Sequence, residues 1–167
     1  IAGIEAGRYR QYRQGDRMSG NVAVGEYHEG RFKDDFERFY GGYYLSHLGK
    51  LSPVDFLAYN REKQKISAVI EFKQRGHQHD RFNTVWLNLR KATALKLLAA
   101  GFNCRGFFYV RWNDNETRYM EVHQAMLCPI VPIHTDNRDW PTDKELGYDI
   151  PVHEMMPMKP KPNLKAV

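Results

Sequence analysis

The stretch from Ser52 to Arg75 constrains the fold more than any other part of the chain. Two runs rich in β-branched and aromatic residues, PVDFLAYN and KISAVIEFKQR, flank the polar turn REKQ, which predicts two antiparallel strands joined as a hairpin. Symmetry about Lys63 places Asp55 directly opposite Glu71, and side-chain alternation sorts the other residues onto two faces. One face carries Val54, Phe56, Ala58, Ile66, Ala68, Ile70 and Phe72 and is wholly apolar. The other carries Asp55, Leu57, Tyr59, Val69, Glu71 and Lys73. The first face has to be covered by other elements, and the carboxylates and ammonium gathered at one end of the second need partners.

Periodicity on either side of the hairpin supplies those elements. Phe32, Phe36, Phe39, Tyr40, Tyr43, Tyr44 and Leu48 recur at helical spacing and predict a helix from Arg31 to Gly49, weakened by Gly41 and Gly42. A second helical pattern runs from Phe82 to Ala100, with Val85, Leu89, Ala92, Leu95 and Ala99 on one stripe and Gly101 as its stop. CRGFFYVRW reads as a buried strand, Asp114-Asn115 as a turn, TRYMEVHQAM as the partner strand, and DIPVHEM as a short strand closing the sheet edge. Helix, hairpin, helix, hairpin is the order of a mixed α/β fold, a central β-sheet flanked by helices. The 167 residues, 42% hydrophobic and 27% charged, suit one packed domain. The expected division is an irregular arm over 1–30, a single domain over 31–157, and a disordered Lys/Pro tail over 158–167.

Charge and targeting signals narrow the class further. The formal net charge of +5 is unevenly spread. Residues 61–118 hold 12 basic and 5 acidic side chains, whereas residues 119–157 hold 2 and 7, so the positive character surrounds the hairpin and suits a polyanionic partner. No apolar run approaches the roughly 18 residues that cross a bilayer, and no basic-then-apolar signal opens the chain. Cys104 and Cys128 are too few for a disulfide scaffold or zinc cluster. The expectation is a soluble protein of the cytoplasm, the host's if phage-encoded, trimmed before Ile1.

Asp55, Glu71 and Lys73 carry the chemistry. Two carboxylates facing each other on adjacent strands can share one hard cation such as Mg²⁺, which keeps several waters and takes only one or two protein carboxylates. Such an ion polarises a phosphoryl oxygen and acidifies a bound water, while a nearby ammonium steadies the developing charge. The ordinary reading, a solvated charge cluster, has to be weighed beside this. With 10 Glu and 11 Lys in the chain, random order yields about 0.7 Glu-x-Lys triplets. The triplet gains meaning from the apolar strand that carries it, the aspartate in register and the helices on both sides.

That order, a helix containing Glu37, SPVDF with Asp55, VIEFK with Glu71 and Lys73, then a long helix, resembles the PD-(D/E)XK nuclease superfamily over residues 31–112. The superfamily includes restriction endonucleases, archaeal Holliday-junction resolvases and phage exonucleases. The Pro-Asp of the motif is spelled Pro53-Val54-Asp55 here. NTVWLNLRKATALKLLA, GFFYVRWND and YDIPVHEM also look similar to phage and prophage proteins with this core. The resemblance implies a restriction-endonuclease-like αβββαβ core, Mg²⁺ or Mn²⁺ bound by Asp55, Glu71 and the carbonyl of Phe72, and Lys73 positioning or activating water. Glu37 matches the acidic residue of the first helix, with Asp34 and Asp35 competing for that role. It also implies a strand before the aspartate strand, where only YYLSHLGKL intervenes.

Other features are ambiguous. His77, His79 and Asp80 have transition-metal character but no second cluster of matching spacing, which favours a basic loop beside a substrate groove. His123 reads as a structural histidine on a strand. Arg75, Arg90 and Lys91 follow the motif or lie on the helix after it, placed either to contact DNA backbone phosphates or simply to be solvated. Arg8, Tyr9, Arg10, Tyr12 and Arg13 interleave cations with rings, which suits base stacking and a protein-binding arm equally. The expected function is a metal-dependent deoxyribonuclease acting on duplex or branched DNA, small enough that substrate choice depends on a homodimer or partners. The alternative is an inactive nuclease-fold protein, a nucleic-acid-binding or structural component of a phage; the intact Asp–Glu–Lys set favours the enzyme.

Overall fold

The computed structural model describes residues 24–49, 51–133 and 145–159, and the chain falls into two units, 1–36 and 37–167. The basic aromatic segment around Arg8 and the residues from 160 onward lie outside the described residues. In the first unit, residues 24–36 belong to helix α1, which covers 24–39. Residues 24–30, expected to end an irregular arm, are therefore helical. Phe32 and Phe36, one turn apart, are buried with ring centroids 5.9 Å apart.

In the second unit, α1 stops well before Gly49. Gly41 and Gly42 follow it, and Gly42 sits at φ +93°, a left-handed conformation that costs glycine little. The chain reverses there into β1 (Tyr43–His47). The residues predicted to finish the helix thus form the short strand that the family resemblance requires. β2 (Phe56–Asn60) and β3 (Lys65–Gln74) follow as the expected hairpin. β4 (Thr84–Asn88) precedes helix α2 (Leu89–Gly101), and β5 (Arg105–Arg111) and β6 (Thr117–Glu121) form the second hairpin. A short helix α3 (Val122–Ala125), β7 (Ile130–Ile133), β8 (Glu145–Pro151), a 3-10 turn (Val152–Glu154) and β9 (Met156–Pro157) complete the order.

Six strands form the main sheet in the order β1-β2-β3-β5-β6-β9, and three form a second sheet in the order β4-β8-β7. The main sheet is mixed, because β5 runs parallel to β3 after the α2 crossover while its other pairs are antiparallel. The expected mixed α/β architecture is thereby present. The register about Lys63 holds for three pairs, Phe56 with Ile70, Leu57 with Val69 and Ala58 with Ala68, but Asp55, expected opposite Glu71, precedes β2 and is not paired with it. A bulge between Ala58 and Tyr59 then shifts the pairs toward the turn by one residue.

Several elements differ from the sequence expectation for identifiable reasons. Thr84–Asn88 is a strand and not the first turn and a half of a helix, because Val85 and Leu87 alternate inward and Asn88 caps α2, accepting from Arg90 N at 2.8 Å and Lys91 N at 3.4 Å. Gly101 is the last helical residue, and Asn103 at φ +49° makes the left-handed exit. TRYME is the strand expected, but VHQA turns into α3. DIPVHEM is divided between β8, in the second sheet, and β9 at the edge of the main sheet. Met158, placed by sequence in the loose tail, is buried and donates its N–H to Thr117 O at 2.8 Å.

The core lies between the main sheet and α2. Val69, Phe108, Val110 and Trp112 meet Ala92, Leu95 and Ala99 there, and Val85, Leu87, Tyr148 and Ile150 of the second sheet join the same cluster. Val54, expected on the opposite face from Val69, belongs to this cluster too, because the chain leaves strand conformation before β2. α2 approaches β5 closely at Gly106, where a Cβ would stand 3.1 Å from Leu95 Cγ, 3.2 Å from Leu95 O and 3.0 Å from Val122 Cγ1. Overpacking a site of this kind costs about 1–3 kcal/mol. Gly106→Val will lower the unfolding free energy measured in urea by at least that range, and a stability equal to wild type would disprove this account of the helix–sheet contact.

Candidate metal and phosphate site

The site begins where β2 peels away from β3. Asp55 precedes β2, and its backbone bridges two strands: its N–H donates to Ile70 O at 3.1 Å, and its carbonyl accepts from Leu48 N at 2.9 Å. Its side chain then does the work of a strand partner, because Oδ2 accepts from Phe72 N at 2.8 Å. The carboxylate is thus fixed one residue from Glu71 along β3. Phe72 presents backbone to the site while its ring is buried.

Glu71 lies on the face of β3 that also bears Val69, in register with Phe108 of β5, and only 7% of it is exposed. Burial, and next the nearby negative charge of Asp55, push its pKa up to about 7, against the opposing pull of Lys91 and Lys73. Lys91 Nζ lies 3.1 Å from Glu71 Oε2. Lys73, two residues along the same face, is exposed and makes no ion pair among the described residues. Its pKa is lowered, chiefly by desolvation and then by the charge of Arg75. Arg75 is half-buried, with its own pKa lowered by desolvation, and its guanidinium has no partner among the described residues.

α2 brings its first turn to this cluster. Asn88 Nδ2 donates to Glu145 Oε2 at 2.8 Å while Asn88 Oδ1 caps the helix, so one side chain ties the start of α2 to β8. The first turn contains Arg90 and Lys91 and no acidic residue. Cations at a helix N-terminus oppose its dipole, at roughly 0.3–1 kcal/mol each. Sequence reading placed Lys91 as a phosphate contact or a solvated cation and missed its pairing with Glu71. The violated helix rule was the available signal, since local rules are broken most often at functional sites.

The other sequence candidates have the following surroundings. Glu37 Oε1 accepts from Leu45 N at 2.8 Å, which anchors the end of α1 to β1 at a position paired with Ala58. Arg90 is exposed. His77 and His79 serve the loop after β3. The His77 ring packs on Phe82 at 4.8 Å, and His79 Nδ1 lies 2.6 Å from Asp114 Oδ2 in the β5–β6 turn. His123 lies on α3, 3.2 Å from Glu121 Oε1, and not on a strand.

The donor set suits a hard cation. Two carboxylates adjoin one another at the end of β3, and the repulsion of Asp55 on Glu71 is the kind that a divalent ion relieves. Among the described residues, no group of three or more His, Cys, Asp or Glu side chains is arranged to hold an ion. Remaining positions would fall to backbone, water and substrate oxygens, the usual pattern for Mg²⁺. Among the described residues, no helix is long and apolar enough to cross a membrane.

A family model described as "Phage putative PDDEXK endonuclease" matches residues 21–158, most of the chain and all of the site. No curated protein matches. Among solved structures, Hjc of Archaeoglobus fulgidus, a Holliday junction resolvase, aligns at 19% identity over 72% of this chain and 82% of that chain, with a TM-score of 0.45.

The raised pKa of Glu71 sets a pH dependence. Below the ordinary carboxylate value of 4.5 the group is protonated whether the chain is folded or not. Between 4.5 and about 7 the unfolded chain releases the proton first, so stability falls as pH rises. Above that window the cost is complete, on the order of 3 kcal/mol. In chelator, urea unfolding of the wild type will show stability falling between pH 5 and pH 8. Glu71→Gln will remove most of that slope, and a slope unaffected by the substitution would assign it to other groups.

Proposed function

The chain belongs to the phage PDDEXK endonuclease family, and from that premise we propose that it hydrolyses DNA phosphodiester bonds with Mg²⁺ or Mn²⁺ held by Asp55, Glu71 and the carbonyl of Phe72. The observation that carries this reading is the convergence at one end of β3 of two carboxylates with Lys73 and with Arg75, whose guanidinium has no partner among the described residues. When bound, the cation polarises the phosphate and acidifies the attacking water.

The chain's own groups do the rest. Lys73 lies beside the carboxylates with no ion pair among the described residues, so its amine is available to hold the water and accept or return a proton. Desolvation, and next the charge of Arg75, lower its pKa, which favours the neutral amine relative to an ordinary lysine. Arg75, already partly desolvated and with no acidic partner among the described residues, takes a phosphate oxygen at small further cost. Arg90, exposed at the first turn of α2, extends the same positive surface along the backbone of the substrate. Contacts of this type bind without reading sequence.

The test offers supercoiled, linear and branched DNA in Mg²⁺, Mn²⁺ or chelator. Cutting is expected with either metal and not in chelator. Lys73→Ala will reduce the rate by about 10² or more while leaving DNA binding intact. Failure of the wild type on every substrate would count against an enzyme, and equal cutting by Lys73→Ala would remove the lysine from the mechanism. Arg75→Ala will instead weaken binding of all sequences alike and reduce the slope of log affinity against log salt by about 1.

A further inference from the structure

We propose that Lys91 is a place-holding cation for the carboxylate pair, so that divalent metal and DNA bind this chain cooperatively; the inference rests on the reading of Asp55 and Glu71 as metal ligands. In the structure the ion pair of Glu71 is made by Lys91, twenty positions away, and not by Lys73, two positions away. The placement of Lys91 is imposed by the fold. Its Cα is fixed on the first turn of α2 by the Asn88 cap, itself held by Glu145, and by the close seating of α2 over Gly106.

Charge accounting makes that ammonium a competitor. Glu71 already has Asp55, Lys91 and Lys73 around it, Arg75 adds its charge beside Lys73, and Arg90 and the positive end of α2 accompany Lys91. A divalent ion entering without an accompanying anion would leave a large positive excess in a partly desolvated place. Whichever Glu71 oxygen it took, Lys91 would remain within a few ångströms of it. A DNA phosphate resolves the conflict: it supplies negative charge, offers oxygens to the metal, and gives Lys91 a new partner within reach of a flexible side chain. Lys91 is thus a positioning residue. It keeps the buried Glu71 carboxylate neutralised until metal arrives, and it favours metal arriving together with DNA.

Two sites that assist each other do so reciprocally, typically by factors of about 5 to 150. The experiment measures Mn²⁺ affinity by calorimetry, with and without a DNA duplex, in a Lys73→Ala background that keeps the duplex intact. Adding Lys91→Met is expected to tighten Mn²⁺ binding to the DNA-free protein at least about fivefold and to shrink the enhancement that DNA provides. Lys91→Arg, which keeps the cation, is expected to behave as the background does. Circular dichroism of both variants separates these changes from unfolding, and if Lys91→Met does not fold, weak DNA-free affinity retained by Lys91→Arg with an intact DNA enhancement still supports the coupling. An unchanged or weaker DNA-free affinity in folded Lys91→Met, or an undiminished DNA enhancement, overturns the inference while leaving the metal site standing. Mn²⁺ binding that is indifferent to Asp55→Asn, with or without DNA, overturns the metal site and the inference together.

Discussion

A carboxylate on an apolar strand organises this molecule. Glu71 follows three consecutive buried residues on β3, and its burial leaves the group costly unless cations come to it. Lys91 reaches it from α2, Lys73 lies on its own strand, and Asp55 is held beside it by the Phe72 amide. The structure around β3 can be understood as the scaffolding that delivers those three groups. A hairpin brings Asp55, and a crossover helix brings Lys91.

The second sheet belongs to that scaffolding. Its strand β4 leads directly into α2, and its strand β8 holds Asn88 through Glu145, so the helix start is fixed from both the chain direction and the side. Val85, Leu87, Tyr148 and Ile150 join the core between the main sheet and α2. A helix whose first turn bears two cations and no acid is weak at that end on its own account. Tertiary contacts at Asn88 and Gly106 set its position instead.

How much of this could be read in advance depended on the range of the interactions. The β2–β3 register near Asp55 was legible because strict alternation over a long apolar strand admits one pairing and penalises a slip by turning the whole set over. β1 was hidden inside a helical pattern, since Tyr43, Tyr44 and Leu48 also fit a spacing of three and four; only the glycines hinted at a reversal. β4 was misread for a similar reason, as Val85, Leu89 and Ala92 fit a helix while Val85 and Leu87 fit a strand. The second sheet carried almost no local signal: β7 is four residues with a proline, and β8 contains Gly147, whose missing side chain leaves room for Ile133. The pairing of Lys91 with Glu71 spans a crossover, so no periodicity within either element could report it.

The bulge at Ala58 and Tyr59 gives this hairpin a division of labour. On one side of it the pairing is locked in phase with Asp55; on the other, the strands run on to the REKQ turn one residue out of step. A change in turn length can be taken up at the bulge, where the ladder is already irregular, before it reaches the pairs that set which face Glu71 occupies. The irregular ladder thus separates the geometry of the turn from the phase of the reactive groups.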